Sequence, residues 1–189
     1  MMRVAVLAGA ILLALPLVQG CIPIVAGAVG TGALIAEDRR STGTYLDDQG
    51  IELKAGNRVS EKYRDVHVNV TSYNRVVLLT GEAPDAAAKA DIAAIVQAVP
   101  GVRLVQNEMT IGPASSLSAR SNDTYITSKV KTRFIDQGKF QVNHVKVVTE
   151  ASTVYLMGLV KRAEAKSAAE VASTTGGVNR VVQVFEYID

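Results

Sequence analysis

The sequence predicts an α+β fold built twice in tandem, each copy a three-stranded mixed sheet covered on one face by two helices in the order αββαβ. Three observations carry this: an internal repeat, short paired runs of period-two alternation, and alanine-rich helical stripes followed by glycine. In the repeat, Asp48-x-x-Ile51-x-x-Lys54-x-x-x-Arg58 returns as Asp123-x-x-Ile126-x-x-Lys129-x-x-x-Arg133, Val68-x-Val70 as Val145-x-Val147, and Val77-x-Leu79-x-Gly81 as Val154-x-Leu156-x-Gly158. Ala86-x-Ala88-Lys89 then returns as Ala163-x-Ala165-Lys166, and Pro100-Gly101-Val102-x-x-Val105 as Gly176-Gly177-Val178-x-x-Val181. The offset stays between 75 and 77, as expected of one duplicated module.

The first helix of the second copy follows Asn122-Asp123-Thr124, a set of good N-cap residues, and spaces Ile126, Val130 and Phe134 along one side. Two alternating runs come next, 145–149 and 153–157, joined by a tight polar connection that suits a hairpin; in the first copy that connection is Ser72-Tyr73-Asn74-Arg75. The second helix, over 84–98, stacks Ala88, Ile92, Ile95 and Val99 on one stripe, matched by Ala165, Ala169 and Ala172, and alanines let a helix lie close to a sheet. Gly101 and Gly177 are expected to stop the helices in a left-handed cap, and the last strands follow at 102–111 and 178–188. The modules thus run over 47–112 and 123–189, with a linker at 113–122 that is rich in Ser and Ala, follows Gly112 and contains Pro113. Modules of about 65 residues are marginal alone, so the copies are expected to pack together.

The N-terminus speaks to compartment. Residues 1–3 carry a positive charge, 4–18 are apolar, and Cys21, the single cysteine, follows Val18-Gln19-Gly20 in the pattern of a lipoprotein processing site. Cleavage after Gly20 removes the signal peptide (1–20) and frees Cys21 to carry a diacylglyceryl group on sulfur and an acyl chain on nitrogen, leaving 21–46 as a lipidated tether. Several chains hold a protein stably on its membrane at about 0.8 kcal/mol per buried methylene. The alternatives are a buried structural cysteine and an uncleaved spanning helix. Against the second, Pro16, Pro23, Gly27, Gly30 and Gly32 interrupt the apolar run. Ile22 lacks the aspartate associated with inner-membrane retention, which agrees with outer-membrane sorting.

Charge is nearly balanced, with 20 basic and 18 acidic residues, and no global field selects nucleic acid. The halves differ: 47–112 has a net charge of minus two and 123–189 of plus two, so the second module is the better candidate to meet an anionic surface. Catalysis finds little support, and the chain reads as a non-enzyme with no cofactor. His67 and His144 lie near strand starts without a cysteine or second histidine to complete a metal site, and are expected to be ordinary strand-edge residues. No G-x-S-x-G occurs, Ser115, Ser116 and Ser118 sit in the linker, and Gly27 to Gly32 lacks the lysine and preceding strand of a phosphate loop.

The helix–strand–strand–helix–strand order, the glycine after the hairpin and the G-V-x-x-V turn resemble the BON domain. Two such copies behind Val18-Gln19-Gly20-Cys21, with Ser121-Asn122-Asp123-Thr124-Tyr125-Ile126-Thr127, Val154-Tyr155-Leu156-Met157-Gly158-Leu159-Val160 and Glu164-Ala165-Lys166, resemble the dual-BON-domain outer-membrane lipoproteins of the DolP family over nearly the whole chain. The resemblance implies a lipid-anchored protein on the periplasmic face of the outer membrane that maintains envelope integrity. It further implies a second BON domain that binds anionic phospholipids such as phosphatidylglycerol and cardiolipin and directs the protein to the division septum. The first copy diverges more, so lipid binding is not carried over to it.

On a helical wheel over 124–136, Tyr125, Ser128, Thr132 and Ile135 gather opposite Ile126, Val130 and Phe134, flanked by Lys129 and Lys131. An exposed ring and aliphatic chain among small hydroxyls, with lysines at the margin, suit a bilayer interface. The resemblance places the family's interfacial aromatic at Tyr125; where the family carries tryptophan, tyrosine inserts more weakly. The competing reading packs Tyr125 and Ile135 on the other module or a second copy. At the level of function the alternative is a periplasmic adaptor docking envelope proteins without direct lipid recognition.

Overall fold

The computed structural model describes residues 38–189; the signal peptide, Cys21 and the tether as far as residue 37 lie outside the described residues. The first module comprises helix α1 (Thr42–Lys62), strands β1 (His67–Tyr73) and β2 (Val76–Ala83), helix α2 (Ala86–Gln97) and two short strands, β3 (Leu104–Asn107) and β4 (Thr110–Ile111). The second comprises α3 (Leu117–Gln137), a 3-10 turn (Val142–His144), β5 (Lys146–Glu150), β6 (Thr153–Val160), α4 (Arg162–Ser173) and β7 (Arg180–Tyr187). In each sheet the hairpin is antiparallel and the last strand runs parallel to the middle one. The α+β architecture of two mixed sheets, each with its own pair of helices, is the expected one, except that the first copy's last strand is broken at Glu108 and Met109.

Side-chain alternation on the central strands serves two cores. Val77, Leu79 and Ala83 of β2 face α1 and α2, and Val154, Leu156 and Val160 of β6 face α3 and α4. The helical stripes there are Ile51, Ala55 and Val59, Ala88, Ile92 and Val96, Ile126, Val130 and Phe134, and Ala165, Ala168, Val171 and Ala172. The opposite faces meet each other: Tyr73, Val76 and Leu78 of the first sheet pack with Tyr155 and Met157 of the second, and Val148, Leu159, Val182 and Val184 close around them. The result is four layers, helices outside and two sheets back to back, and every residue of β2 is buried. Polar contacts rim this seam, Arg103 to Glu186 (2.9 Å), Asn74 to Glu186 (3.0 Å), Lys146 to Glu52 (2.7 Å) and Asn69 to Glu150 (2.8 Å).

The repeated polar residues have repeated tasks. Both hairpins turn on two residues with positive φ and no glycine, Asn74 and Arg75 (51° and 64°) and Ala151 and Ser152 (47° and 58°), a conformation that costs about 1 kcal/mol or more per residue. A buried carboxylate from the preceding helix compensates. Asp48 accepts from the Asn74 and Arg75 amides (2.8 and 2.7 Å), from the Ser72 hydroxyl (2.6 Å) and from Arg40 (2.8 Å). Asp123 accepts from the Ala151 and Ser152 amides (2.9 and 2.8 Å). Arg58 and Arg133 reach the other way, donating to the Ala98 carbonyl (3.1 Å) and to the Val171 carbonyl (3.1 Å) at the C-terminal ends of α2 and α4. The glycines after the hairpins are required by close approach: a Cβ on Gly81 or Gly158 would lie 2.0 or 2.3 Å from the carbonyl oxygen of His67 or His144.

Several boundaries differ from the sequence expectation. The helix expected from Asp123 begins at Leu117, so the 113–122 linker is a linker only as far as Ser116, and Asp123 is a buried mid-helix clasp instead of an N-cap. Ser116 caps α3, its Oγ accepting from the Ala119 amide (3.2 Å). Likewise α1 starts at Thr42, inside the segment assigned to the tether. Gly101 and Gly177 have positive φ but lie beyond the helix caps, Ala98 and Thr174, where they turn the chain toward the last strand.

Ahead of α1, Arg39 crosses to the second module and bonds both oxygens of Glu164 (2.6 and 2.9 Å) and the Leu159 carbonyl (2.9 Å). Arg40 stacks over the Tyr73 ring, 4.0 Å from its centroid. Both residues fix where the tether leaves the folded body.

Replacing Asp48 with Ala strands two turn amides and Arg40, at a cost of at least about 3 kcal/mol, and Asp123→Ala costs about 2 kcal/mol. Urea denaturation measures both, and losses under about 0.5 kcal/mol would mean the turns hold themselves. The bond to Arg39 carries the Glu164 carboxyl from its ordinary 4.5 down to about 2. With the folded value below the unfolded one, the pair's contribution is complete above about pH 4.5 and is lost as pH falls toward 2. The difference in urea midpoint between wild type and Glu164→Gln should therefore be flat near neutrality and shrink below about pH 4.5. A gap unchanged under acid would refute the ion pair.

Candidate phospholipid interface

Helix α3 has one committed face and one free face. Ile126, Val130 and Phe134 are at most 1% exposed, and Phe134 meets Phe140 edge-on with ring centroids 5.0 Å apart. Gly138 closes the helix in the left-handed conformation, its amide donating to the Phe134 carbonyl (3.2 Å). Around the other side, Tyr125 is 62% and Ile135 66% exposed, and Ser128, Lys131 and Thr132 are exposed between them. Packing of Tyr125 and Ile135 on the other module, the competing expectation, does not occur. The two side chains stand ten residues apart, about 15 Å along the axis, on one side of the helix.

The polar members divide by role. The Ser128 hydroxyl donates back to the Thr124 carbonyl (3.0 Å), so its one donor is spent and only its acceptor lone pairs remain for solvent. Lys129 is half-buried: its ammonium donates to the Gly176 carbonyl in the turn before β7 and sits 4.6 Å from the Tyr125 ring centroid. It therefore braces the tyrosine and ties α3 to that turn, while Lys131 stands in solvent. Asp136 is the acidic residue exposed on the last turn of this helix and moderates the local positive charge.

The early start of α3 adds a residue that sequence reasoning passes over. Leu117 is 81% exposed, and its distance of eighteen residues from Ile135 is five whole turns, which places it on the same side about 27 Å away. The signal was Ser116 followed by a leucine, a capping residue ahead of an apolar one, obscured by neighbouring serines and alanines. Beside Ile135 opens a cavity of about 500 Å³ lined by Lys139, Phe140, His144, Arg39 and Glu164, so the tether's exit and one end of the apolar ridge share a groove.

The corresponding surface of the first module is different. At the constant offset of the helices, Tyr125, Ser128, Lys131, Thr132 and Ile135 correspond to Gly50, Leu53, Gly56, Asn57 and Ser60. Leu53 is exposed, but neither an aromatic nor a second large aliphatic accompanies it at the matching positions. Among the described residues, no helix is long and apolar enough to cross a membrane.

Comparison with known proteins agrees with the duplication. The BON domain matches residues 47–113 and 122–189. The chain is 36% identical over 190 residues to the outer membrane lipoprotein DolP of Haemophilus influenzae, covering 99% of this chain and 96% of that protein. It is 33% identical to a 21 kDa hemolysin of Actinobacillus pleuropneumoniae, covering 80% of this chain and 79% of that one. It is also 26% identical to the osmotically-inducible protein Y of Escherichia coli, covering 82% and 87%. With both modules matched and a relative aligned nearly end to end, the chain belongs to the BON-domain family as a two-domain protein of the DolP family.

Proposed function

We propose that this protein is an outer-membrane lipoprotein, anchored through Cys21 and facing the periplasm, whose second BON domain binds anionic phospholipid through the outer face of α3. The observation that carries the reading is the unpacked apolar ridge of Tyr125 and Ile135 on a helix whose other face is fully committed to the core. The tyrosine ring suits the headgroup layer, Ile135 the acyl boundary, and Lys131 with Lys139 the phosphates. Lysines near an anionic surface contribute about 1 kcal/mol each, so this patch alone binds weakly and reversibly. A protein already held by its acyl chains needs no more, because the tether supplies a high effective concentration and the patch selects where in the membrane the protein dwells. Preference for phosphatidylglycerol or cardiolipin would concentrate it at the division septum, where it supports envelope integrity. Lys129 acts as a brace for Tyr125 in this reading, and Leu117 extends the contact.

Co-sedimentation of residues 38–189 with vesicles tests it. Binding should require phosphatidylglycerol or cardiolipin, weaken with salt, and fall about tenfold for Ile135→Asp and several-fold for Tyr125→Ala or Leu117→Ser, with unchanged circular dichroism. In cells, a fluorescent fusion of the full chain should lose septal enrichment with Ile135→Asp. Equal, negligible sedimentation with anionic and zwitterionic vesicles would favour the adaptor.

A further inference from the structure

The seam between the modules gathers a second set of groups. His67 at the start of β1, Glu82 near the end of β2 and Glu150 at the end of β5 bring one ligand atom each within 4.8 Å of one another, two residues from the first module and one from the second. The imidazole Nδ1 lies 3.0 Å from Glu82 Oε2, 3.7 Å from Glu150 Oε1 and 3.0 Å from the Ser115 hydroxyl. A tetrahedral ion with bonds of 2.0–2.1 Å sets its ligands about 3.3 Å apart, and these separations bracket that spacing. The Ser115 amide donates to Glu82 Oε2 (3.0 Å), the oxygen that faces His67, while Asn69 (2.8 Å) and Thr80 (3.4 Å) donate to Glu150 Oε2, which leaves Glu150 Oε1 turned toward the histidine. A cavity of about 400 Å³ opens onto His67 and Glu150 and gives an entry path.

Charge points the same way. Glu82 and Glu150 are 9% and 6% exposed, and their only ion-pair partner among the described residues is His67. Arg120, which lines the cavity, is held on the Ser115 hydroxyl and carbonyl (3.2 and 2.8 Å) instead of on either carboxylate. Burial drives the Glu150 carboxyl above its ordinary value, against the opposing hydrogen bond from Asn69, and Glu82 adds to the rise. Two buried carboxylates facing one imidazole leave a negative site that a proton offsets partly and a divalent cation offsets fully.

We propose that His67, Glu82 and Glu150 form a divalent-cation site that staples the two modules together, with the Ser115 hydroxyl or a water as fourth ligand. One imidazole with two carboxylates suits Zn²⁺ or a similar borderline ion in preference to Ca²⁺ or Mg²⁺, which take oxygen ligands. Because the ligands come from both modules, the ion binds the packed arrangement and stabilises it. The site does not depend on lipid recognition: its three ligand residues lie on β1, β2 and β5, and α3 contributes only Arg120, Asp123, Thr124 and Thr127 to the lining of the cavity.

Full-length protein in detergent, stripped with EDTA and titrated with ZnCl₂, tests the proposal. One Zn²⁺ should bind per chain, raise Tm by about 5 °C at saturation, and leave Tm unmoved with MgCl₂. Glu150→Gln should weaken binding at least about tenfold and abolish the Zn²⁺-dependent rise in Tm, while its Tm in EDTA stays level or increases. His67 and His144 are the chain's two histidines, so an NMR titration of the wild type needs no variant: the His67 ring signals should shift with stoichiometric Zn²⁺ and those of His144 should not. Absence of saturable binding, wild-type affinity in Glu150→Gln, loss of binding in Cys21→Ser, or an unmoved His67 would each overturn the site.

Discussion

A three-stranded sheet with two helices has a second apolar face, and everything else in this protein follows from how that face is covered. Leu78 and Met157 are fully buried although they point away from their own helices, and each is buried by the other module. Side chains of this size contribute about 1.5–3 kcal/mol each when removed from water, a large share of the stability available to modules of this length. Covering one sheet with the other sends all four helices to the outside. Their outer faces therefore lie uncovered by any other described residue, and the apolar groups they carry, Leu53, Leu117, Tyr125 and Ile135 among them, stand exposed.

The duplication separates what folds the module from what distinguishes the copies. Asp48 and Asp123, Arg58 and Arg133, Gly81 and Gly158 recur because each answers a backbone need: a strained turn whose amides want a carboxylate, helix-terminal carbonyls that want a donor, a crossing too tight for a Cβ. The outer positions of the first helix carry no such duty and have diverged. Gly50 and Ser60 stand where the second copy has Tyr125 and Ile135. Arg40, bonded to Asp48, has Ser115 at the corresponding place, so the second clasp does without a guanidinium. Ser115 turns toward His67 and Glu82 instead.

Much of this was legible in the chain itself. The duplicated order of elements, the buried stripe of Ile126, Val130 and Phe134 and the exposed side of α3 all follow from periodicity. The start of α3 did not, because Ser115 to Ser121 has the composition of a loop and Asn122-Asp123-Thr124 resembles a cap, whereas Asp123 is claimed by a turn 28 residues away. Back-to-back packing does have a sign in the sequence: Val76 to Leu79 is apolar at consecutive positions, which is what a strand buried on both faces requires. The cluster at the seam was hidden for another reason. His67 and Glu82 are cross-strand partners within the first hairpin, and only the packing of one sheet on the other adds Glu150, 83 residues beyond His67.

The position of the tether ties the fold to the membrane. Arg39, one residue into the described chain, is clamped on Glu164 and lines the same groove as Ile135 and Lys139. A chain rooted there leaves the body beside the second module, next to the end of the ridge that the first module lacks. The 17 residue steps from Cys21 to Asp38 span at most about 60 Å when fully extended, longer than the 27 Å ridge, so the proposed anchor at Cys21 would leave α3 free to lie against a bilayer or to lift away. Had the tether been fixed only to the first module, on the far side of two sheets, the same ridge would have had to reach round the molecule. Clamping Arg39 to the second module removes that obstacle, and it gives the contact between the modules a second consequence: under the proposed anchoring, it sets which helix would face the membrane.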